Sequence, residues 1–370
     1  MIKISPSGIR KQLYCEHAAY LEYVLGLAPL GQDHRFDFGK AVHALLECAL
    51  RIHWAGGHAA APVLEAFEQH GEQLAREAFV AMRDEDGTQI EEQVGIDALA
   101  MVRWVLPRME LDKWETLTID GEPAVEVMLE RELIPGVILR GKLDWLARHK
   151  QSGDVFVVDH KTSKPAISPV ELVEHDLQLA LYRWLTDEVD PAFDDEPGGL
   201  LHKMRKHPPK PPALLKKGDA LSRAAIASDW PTYLAAIHAH GFDPADYAEQ
   251  REKLGDACFH GFFRDVTSEH ARRELLGVAQ DVARRLQQLH EHTGEWPLRN
   301  RSLSCNSCDY KAWCDASLDG KHPGSLVGLV YSLRDSSPWH DATASNGAAA
   351  QDFEQRLARA GRFADYRFAP

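Results

Sequence analysis

The sequence predicts a mixed α/β fold, with strands in the middle of the chain and helices before and after them. Three observations predict it. Helical periodicity dominates up to about residue 114, and an extended, β-branched pattern occupies about 124–161. A long helical pattern then returns from about Ser268 to His292. A chain of 370 residues is enough for one large elaborated domain or two ordinary ones.

Composition narrows the class of protein. Hydrophobic residues make up 44% and charged residues 26%, which is typical of a soluble globular protein. We find no apolar stretch long enough to span a membrane, and the N-terminus lacks the apolar core of a signal peptide. We therefore expect a cytoplasmic protein. The net charge of -14 argues against a surface coated in basic residues for duplex DNA, but not against a local basic groove.

The first helices are predicted through Ile9–Leu13, over His17–Leu25 and from about Phe38. The third contains His43 and Glu47, which lie four residues apart and therefore share a face. A single histidine on an apolar helix is more often a buried core residue than a ligand. The meaning of His43 therefore depends on what lies near it.

The stretch Gly141–Lys164 predicts a hairpin whose turn lies at 151–154. Asp159 and Lys161 are two residues apart in the second strand and project from the same face. Asp144 lies in the first strand. Buried charges must be paired or bind a metal, and two carboxylates with a lysine suit a hard divalent cation. The alternative is a surface hairpin with scattered charges.

Three strands around this hairpin predict an antiparallel meander: Ala124–Arg131, Val137–Ala147 and Asp154–Lys161. A helix is predicted next, over about Pro169–Leu185. Gln178 and Tyr182 share one face of it, which on its own is consistent with a solvated surface.

The next predicted strand is Gly199–Arg205, and a basic, proline-rich segment runs from His202 to Asp219. Its prolines exclude a central strand or helix. It is either a solvated loop or an arm that contacts a phosphate backbone, through Lys203, Arg205, Lys206, Lys210, Lys216 and Lys217.

The cysteines predict a metal centre. Cys305, Cys308 and Cys314 have the spacing C-x2-C-x5-C, and a two-residue gap lets two sulfurs converge on one centre. A closed site needs a fourth ligand, for which the candidates are Cys15, Cys48 and Cys258. Cys15 lies in a break between predicted helices, where a ligand is easily presented, whereas the surroundings of the other two indicate buried thiols.

In this order, the motifs resemble the RecB-like branch of the PD-(D/E)XK nuclease superfamily. They are most similar to its iron–sulfur members: AddB-type nuclease domains, CRISPR-associated RecB-like exonucleases and phage relatives. The matching residues run from Cys15 to Cys314. Five short motifs carry the resemblance: G-x-x-x-H at Gly39–His43, G-x-x-D at Gly141–Asp144, D-x-K at Asp159–Lys161, Q-x-x-x-Y at Gln178–Tyr182, and one cysteine before the core with three after it.

The resemblance implies a role for each matching residue. His43, Asp144, Asp159 and the backbone carbonyl of His160 would hold Mg²⁺ or Mn²⁺. Lys161, Gln178 and Tyr182 would act beside them on the substrate. Cys15 would join Cys305, Cys308 and Cys314 around a [4Fe–4S] cluster that staples the two ends of the core.

The resemblance also implies a restriction-endonuclease-like core, a mixed central sheet flanked by helices. Residues 1–333 would form the nuclease domain, with a helical elaboration at about 48–115, an insertion at about 203–258 and the cluster segment at 300–318. Residues 334–370 would be a polar tail.

The implied activity is metal-dependent exonuclease action on single-stranded DNA ends, in recombination, repair or phage DNA processing. A recombination or replication protein is an expected partner, and a membrane is not. Two alternatives stay open. One is a catalytically silent DNA-binding or assembly subunit of a nuclease, helicase or CRISPR adaptation complex. The other is a zinc protein whose hairpin is structural.

Overall fold

The computed structural model describes residues 2–30, 37–86, 89–163, 167, 173–187, 189, 197–224, 226–255, 258–291, 297–321 and 323–333. The chain divides into two compact units, each built from separate stretches of sequence. The first unit comprises Met1–Gln32, Met128–Gly141 and Ser268–Pro370, and the second comprises Asp33–Val127 and Lys142–Thr267. None of the described helices combines the length and apolar character that a membrane crossing requires.

In the described part of the chain the α-helices are α1 (Pro6–Tyr14), α2 (Glu16–Ala19), α3 (Asp37–Ala55), α4 (Ala60–Asp86), α5 (Glu92–Val105), α6 (Leu177–Thr186), α7 (Trp230–Ala239), α8 (Ala248–Leu254), α9 (Glu269–Glu291) and α10 (Lys311–Leu318). The strands are β1 (Ile2–Ile4), β2 (Leu27–Pro29), β3 (Trp114–Thr116), β4 (Thr118–Ile119), β5 (Glu122–Pro123), β6 (Val125–Ile134), β7 (Val137–His149), β8 (Val155–Ser163), β9 (Gly198–Arg205), β10 (His260–Arg264) and β11 (Tyr331–Leu333).

The second unit is built on a mixed sheet. Strand β8 pairs antiparallel with β7 on one side and parallel with β9 on the other, and β9 pairs antiparallel with β10. The core behind this sheet contains large apolar residues from the strands and from α3, α4 and α5, including Leu45, Phe67, Val102, Trp145 and Val158. The predicted mixed α/β class with a central sheet flanked by helices is confirmed.

The first unit gathers both ends of the described chain. Strand β1 pairs parallel with the first residues of β7, and β2 pairs antiparallel with β11. Its core joins α2 and the π-helix Tyr20–Val24 to α10 and β11 through residues such as Leu21, Trp313 and Tyr331. Tyr310 lies in this core and donates a hydrogen bond to the carbonyl oxygen of Leu27, 2.9 Å away.

One predicted boundary and one predicted exclusion are wrong within the described residues. Helix α6 begins at Leu177, because Asp176 caps it by accepting a hydrogen bond from the backbone N–H of Leu179 at 3.0 Å. The strand predicted over Gly199–Arg205 is present as β9, and because β9 lies between β8 and β10, the prediction that the basic segment contains no central strand is wrong for residues 202–205. This is possible because the prolines start only at Pro208, beyond the strand. The predicted polar tail 334–370 lies outside the described residues.

Candidate functional site

The predicted acidic residues lie at the centre of the second unit, and the alternative of a surface hairpin is wrong. Strand β8 is buried from Phe156 to His160, and the side chain of Asp159 is only 2% exposed. Asp144 lies in the neighbouring strand β7 and is also buried. Because both strands are covered on both faces at this point, the two carboxylates need partners.

Lys161 and α6 supply the partners of Asp159. Lys161 Nζ donates to Asp159 Oδ1 at 2.8 Å and lies 3.3 Å from Gln178 Oε1. Gln178 Nε2 donates to Asp159 Oδ1 at 3.2 Å and to the Tyr182 hydroxyl at 2.9 Å. The Gln178 and Tyr182 side chains therefore face the site. The alternative that this helix face is solvated is wrong, since Tyr182 is buried.

His43 on α3 closes the site from the other side. Its Nε2 lies 2.9 Å from the backbone carbonyl oxygen of His160, and its Nδ1 lies 3.5 Å from Asp144 Oδ1. The other oxygen of Asp144 accepts the backbone N–H of His160 at 2.6 Å. His43, Asp144 and the backbone of His160 thus adjoin one another through direct contacts, and Asp159 precedes His160 on the same strand. The imidazole, the two carboxylates and the carbonyl oxygen are groups that could hold a divalent cation.

The side chain of His160 points away from this arrangement. Its Nδ1 lies 2.9 Å from Nδ1 of His202 on β9, and its ring stacks on Trp145. Burial lowers the pKa of His160 to about 4, so the ring is neutral near pH 7. Only the backbone of His160 therefore faces the carboxylates.

The two carboxylates have opposite pKa shifts. Burial and the charge of Asp144 raise the pKa of Asp159 to about 7, and Lys161 offsets them only in part. Burial also acts to raise the pKa of Asp144, but the charge and hydrogen bond of His43 outweigh it and lower that pKa to about 2. Two carboxylates that repel each other in a buried site favour a bound cation.

Glu126 is the residue of this site that the sequence reasoning missed. Its Oε1 lies 3.2 Å from His43 Nδ1, and its Oε2 lies 3.0 Å from Lys142 Nζ. His43, Glu126 and Asp144 each place a ligand atom within 4.8 Å of the other two. Strand β6 holds several glutamates in a stretch that reads VEVMLERE, and no local pattern distinguishes the one that faces His43.

The predicted basic segment divides into two parts. Lys203 and Arg205 lie in β9 and Lys206 just follows it, and all three are half-buried. The Arg205 guanidinium lies over the ring of Phe259, 4.4 Å from its centre. The other three lysines, Lys210, Lys216 and Lys217, are exposed in the loop beyond.

The first unit brings the four predicted cluster cysteines to one cavity. Cys15, Cys305, Cys308 and Cys314 all line a cavity of about 890 Å³. Burial raises the pKa of Cys314 to about 11, and the neighbouring Cys15, Cys308 and Cys305 act in the same direction. No three of these four described sulfurs lie within 4.8 Å of one another.

The other two cysteines lie elsewhere. Cys48 is on α3 and packs against the core of the second unit. The Cys258 thiol donates to the carbonyl oxygen of His260 at 2.6 Å. Neither lines the cysteine cavity.

Relatives with named functions match part of the chain. A protein of Streptococcus pneumoniae (strain Hungary19A-6) named as a subunit of an ATP-dependent helicase/deoxyribonuclease is 29% identical over 172 residues, 43% of this chain and 15% of the relative. The exonuclease/helicase subunit RexB of S. pneumoniae serotype 4 matches with the same identity and coverage. The chain thus spans about one seventh of the length of each.

The family comparison covers far more of the chain. The model of the PD-(D/E)XK nuclease superfamily matches residues 3–315. This range includes the four cysteines of the cysteine cavity and the carboxylate site, which is formed by His43, Asp144, Asp159 and Lys161. The mixed sheet of the second unit, with Asp144 and Asp159 on adjacent strands, agrees with that match. The chain belongs to the PD-(D/E)XK nuclease superfamily.

Proposed function

We propose that this protein hydrolyses phosphodiester bonds in DNA, using a divalent cation held by His43, Asp144, Asp159 and the His160 carbonyl. The observation that carries the proposal is the buried pair of carboxylates, joined to a histidine and a lysine by direct contacts. This donor set of three oxygens and one imidazole fits Mg²⁺ or Mn²⁺. When bound, the cation supplies Lewis acidity and a water of lowered pKa.

The remaining residues act on the substrate. Lys161 is 38% exposed at its side chain, whereas its partner Asp159 is buried, so the ammonium group is the part of this pair that a phosphate can reach. There it stabilises negative charge that develops at the phosphate. Gln178 holds both members of the pair and is fixed in turn by Tyr182. Through these contacts the two side chains orient Lys161 toward the nucleic-acid backbone.

The substrate class is single-stranded DNA ends. Support comes from the relatives, whose names describe a deoxyribonuclease and an exonuclease, and from the family resemblance. Those relatives are named as helicase subunits, so we propose a recombination, repair or replication protein as partner and the cytoplasm of a bacterial or phage-infected cell as location. In this proposal residues 1–333 act as the nuclease domain, and 334–370 form a tail.

A [4Fe–4S] cluster is the proposed occupant of the cysteine cavity. The four cysteines are a complete ligand set for such a cluster, and the cavity is large. A single Zn²⁺ with Zn–S bonds of about 2.3 Å would hold its sulfurs about 3.8 Å apart. No three of the four described sulfurs lie even within 4.8 Å of one another, which fits one small ion less well than a cluster. When bound, it would join Cys15 to the C-terminal segment as a structural staple.

The basic segment is proposed to contact DNA phosphates. The exposed Lys210, Lys216 and Lys217 are the members most accessible to a phosphate. Replacing all three by alanine is expected to weaken binding and to lower the salt slope for a single strand by about 2, or about 0.7 per lost contact. Lys253→Ala is the control, because Lys253 is exposed in the same unit but paired with Glu249. An unchanged slope in the triple variant would identify a solvated loop.

The decisive experiment is digestion of end-labelled single- and double-stranded DNA by protein purified without oxygen. Mononucleotide release from single strands, dependent on Mg²⁺ or Mn²⁺, is expected. Metal-dependent cleavage of a circular single strand, which has no ends, would identify the protein as an endonuclease instead. DNA binding without any cleavage would favour a silent subunit.

A further inference from the structure

We propose that Glu126 is a positioning residue for the metal ligand His43: it accepts the Nδ1–H hydrogen bond, so that Nε2 faces the cation. This inference rests on the proposed function, since it assigns the second nitrogen of a proposed ligand. Glu126 is outside every motif that the sequence singled out.

The two ring nitrogens of His43 have different neighbours. Nε2 lies 2.9 Å from the carbonyl oxygen of His160, which is itself a proposed ligand. Nδ1 lies 3.2 Å from Glu126 Oε1. An imidazole offers a metal one nitrogen, and the hydrogen bond made by the other fixes the tautomer and the ring orientation. A cation that shares the His160 carbonyl with His43 therefore binds Nε2, and Nδ1–H remains directed at Glu126.

The surroundings of Glu126 fit an acceptor better than a ligand. Its side chain is only 11% exposed, and Lys142 Nζ lies 3.0 Å from Oε2. That ion pair occupies one oxygen and balances the carboxylate charge, which leaves Oε1 for the imidazole. Carboxylates that accept from the distal nitrogen of a ligating histidine are a common support of metal sites.

The backbone at Glu126 is also unusual. Its φ is +52°, in the left-handed region, which is unfavourable in free energy for any residue that carries a side chain. Val125 beside it is buried in the core, so the chain is anchored directly before this residue. Residues kept in such conformations occur often at functional sites, and here the side chain turned by the backbone is the one that contacts His43.

The competing role for Glu126 is direct coordination. Its carboxylate and that of Asp144 both lie on the Nδ1 side of His43, at 3.2 and 3.5 Å. A cation bound there would use Nδ1 and a glutamate oxygen. Glutamine separates the two roles, because its neutral amide oxygen can still accept the N–H, although less strongly than a carboxylate, but is a poor ligand for Mn²⁺.

The test is the affinity of the full-length protein for Mn²⁺, measured by isothermal titration calorimetry without DNA. The site is defined as the binding that Asp144→Ala abolishes. For Glu126→Ala we expect affinity at this site to fall about 10- to 100-fold. For Glu126→Gln we expect a much smaller loss, because the amide oxygen still accepts the Nδ1–H. The control is Glu130→Ala, on the same strand, whose carboxylate pairs with Lys3 and Arg140 instead.

Two results would overturn the inference while leaving the metal site in place. Wild-type affinity in folded Glu126→Ala would show that His43 needs no such support. An equally large loss in Glu126→Gln and Glu126→Ala would assign Glu126 as a ligand. By contrast, the wild-type protein could show no Mn²⁺ binding that Asp144→Ala abolishes. That result would refute the proposed function and this inference together. Circular dichroism of every variant confirms that the fold is retained.

Discussion

The carboxylate site and the cysteine cavity are both proposed metal centres, but the chain holds them in different ways. The carboxylate site lies on β7, β8, α3 and α6, and its side chains already contact one another or the backbone of β8 at 2.6–3.5 Å. The cysteine cavity is lined by Cys15, between two helices, and by a short 3₁₀ segment and α10. Its four cysteines line a cavity of about 890 Å³, and no three of their sulfurs lie within 4.8 Å of one another.

This difference indicates which of the two centres needs its ligand in order to stay folded. The carboxylate site is organised by buried strands, and its charges are partly balanced by Lys161 and His43. Removal of its cation is expected to leave the unit folded. The cysteine cavity is bordered by short elements near the ends of the described chain. Its ligand is expected to contribute folding free energy there.

The largest expected effect is on catalysis. Asp159→Ala removes a proposed metal ligand, and Lys161→Ala removes the cation at the reacting phosphate. Each is expected to lower the cleavage rate by at least about 10³-fold. Neither is expected to change the iron content or the cooperativity of thermal unfolding. Full cleavage by either purified variant would show that the active site is elsewhere.

Metal exchange tests the same site without mutation. EDTA is expected to stop cleavage, and either Mn²⁺ or Mg²⁺ to restore it. Mn²⁺ is expected to be several-fold better, because one of the ligands is an imidazole and Mg²⁺ prefers oxygen. The rate is measured with end-labelled DNA, and unfolding is followed in parallel. A loss of folded structure in EDTA would break the comparison drawn above, since the carboxylate site would then depend on its ligand as well.

Much of the fold could be predicted because its strands and helices carry strong local patterns. The β-branched residues around the turn at 151–154 predict strands β7 and β8, and a long helical period predicts α9. Boundaries are harder to predict. Helix α6 begins at Leu177 and not near Pro169, because the cap at Asp176 sets its start. Strand β9 includes Lys203 and Arg205 although the basic segment is predicted to contain no central strand, since its pairing with β8 and β10 outweighs the polarity of those side chains.

The site could be predicted only where spacing is informative. Asp159 and Lys161 share a strand face, and Gln178 and Tyr182 share a helix face, so local periodicity pairs them. Glu126 could not be found in this way. Its position depends on a left-handed backbone residue and on a contact with His43, 83 residues earlier in the chain. Such long-range contacts have no local signal.

The cysteine variants test the other half of the comparison. Cys15→Ala removes one of four proposed thiolates, so we expect lost iron and a melting temperature lower by roughly 5 °C or more. Cys48→Ala is the matched control. It is expected to keep its full iron content and to lose about 1 kcal/mol of unfolding free energy through poorer packing. Iron and sulfide analysis with thermal melts measures both. An intact cluster in Cys15→Ala, or a lost one in Cys48→Ala, would mean that the fourth ligand is misassigned.

The smallest expected effect concerns the anchoring of α3, the helix that carries His43. His53 lies ten residues further along it and is fully buried, with Nε2 3.1 Å from the Leu111 carbonyl oxygen and Nδ1 3.2 Å from Thr116 Oγ1. Burial, and next the charge of His58, lowers the pKa of His53 to about 4, below the value of about 6.5 in an unfolded chain.

Between those two pKa values the unfolded chain binds a proton that the folded protein does not. The contribution of His53 to stability is therefore complete above about pH 6.5 and is lost as the pH falls toward 4. The free energy of unfolding is measured in urea at pH 7 and at pH 5. From pH 7 to pH 5, His53→Gln is expected to lose less of this free energy than the wild-type protein, by on the order of 1 kcal/mol. His70→Gln, on an exposed position of α4, should follow the wild-type protein. An equal loss in His53→Gln and wild type would mean that the helix behind the carboxylate site is not held by a neutral histidine.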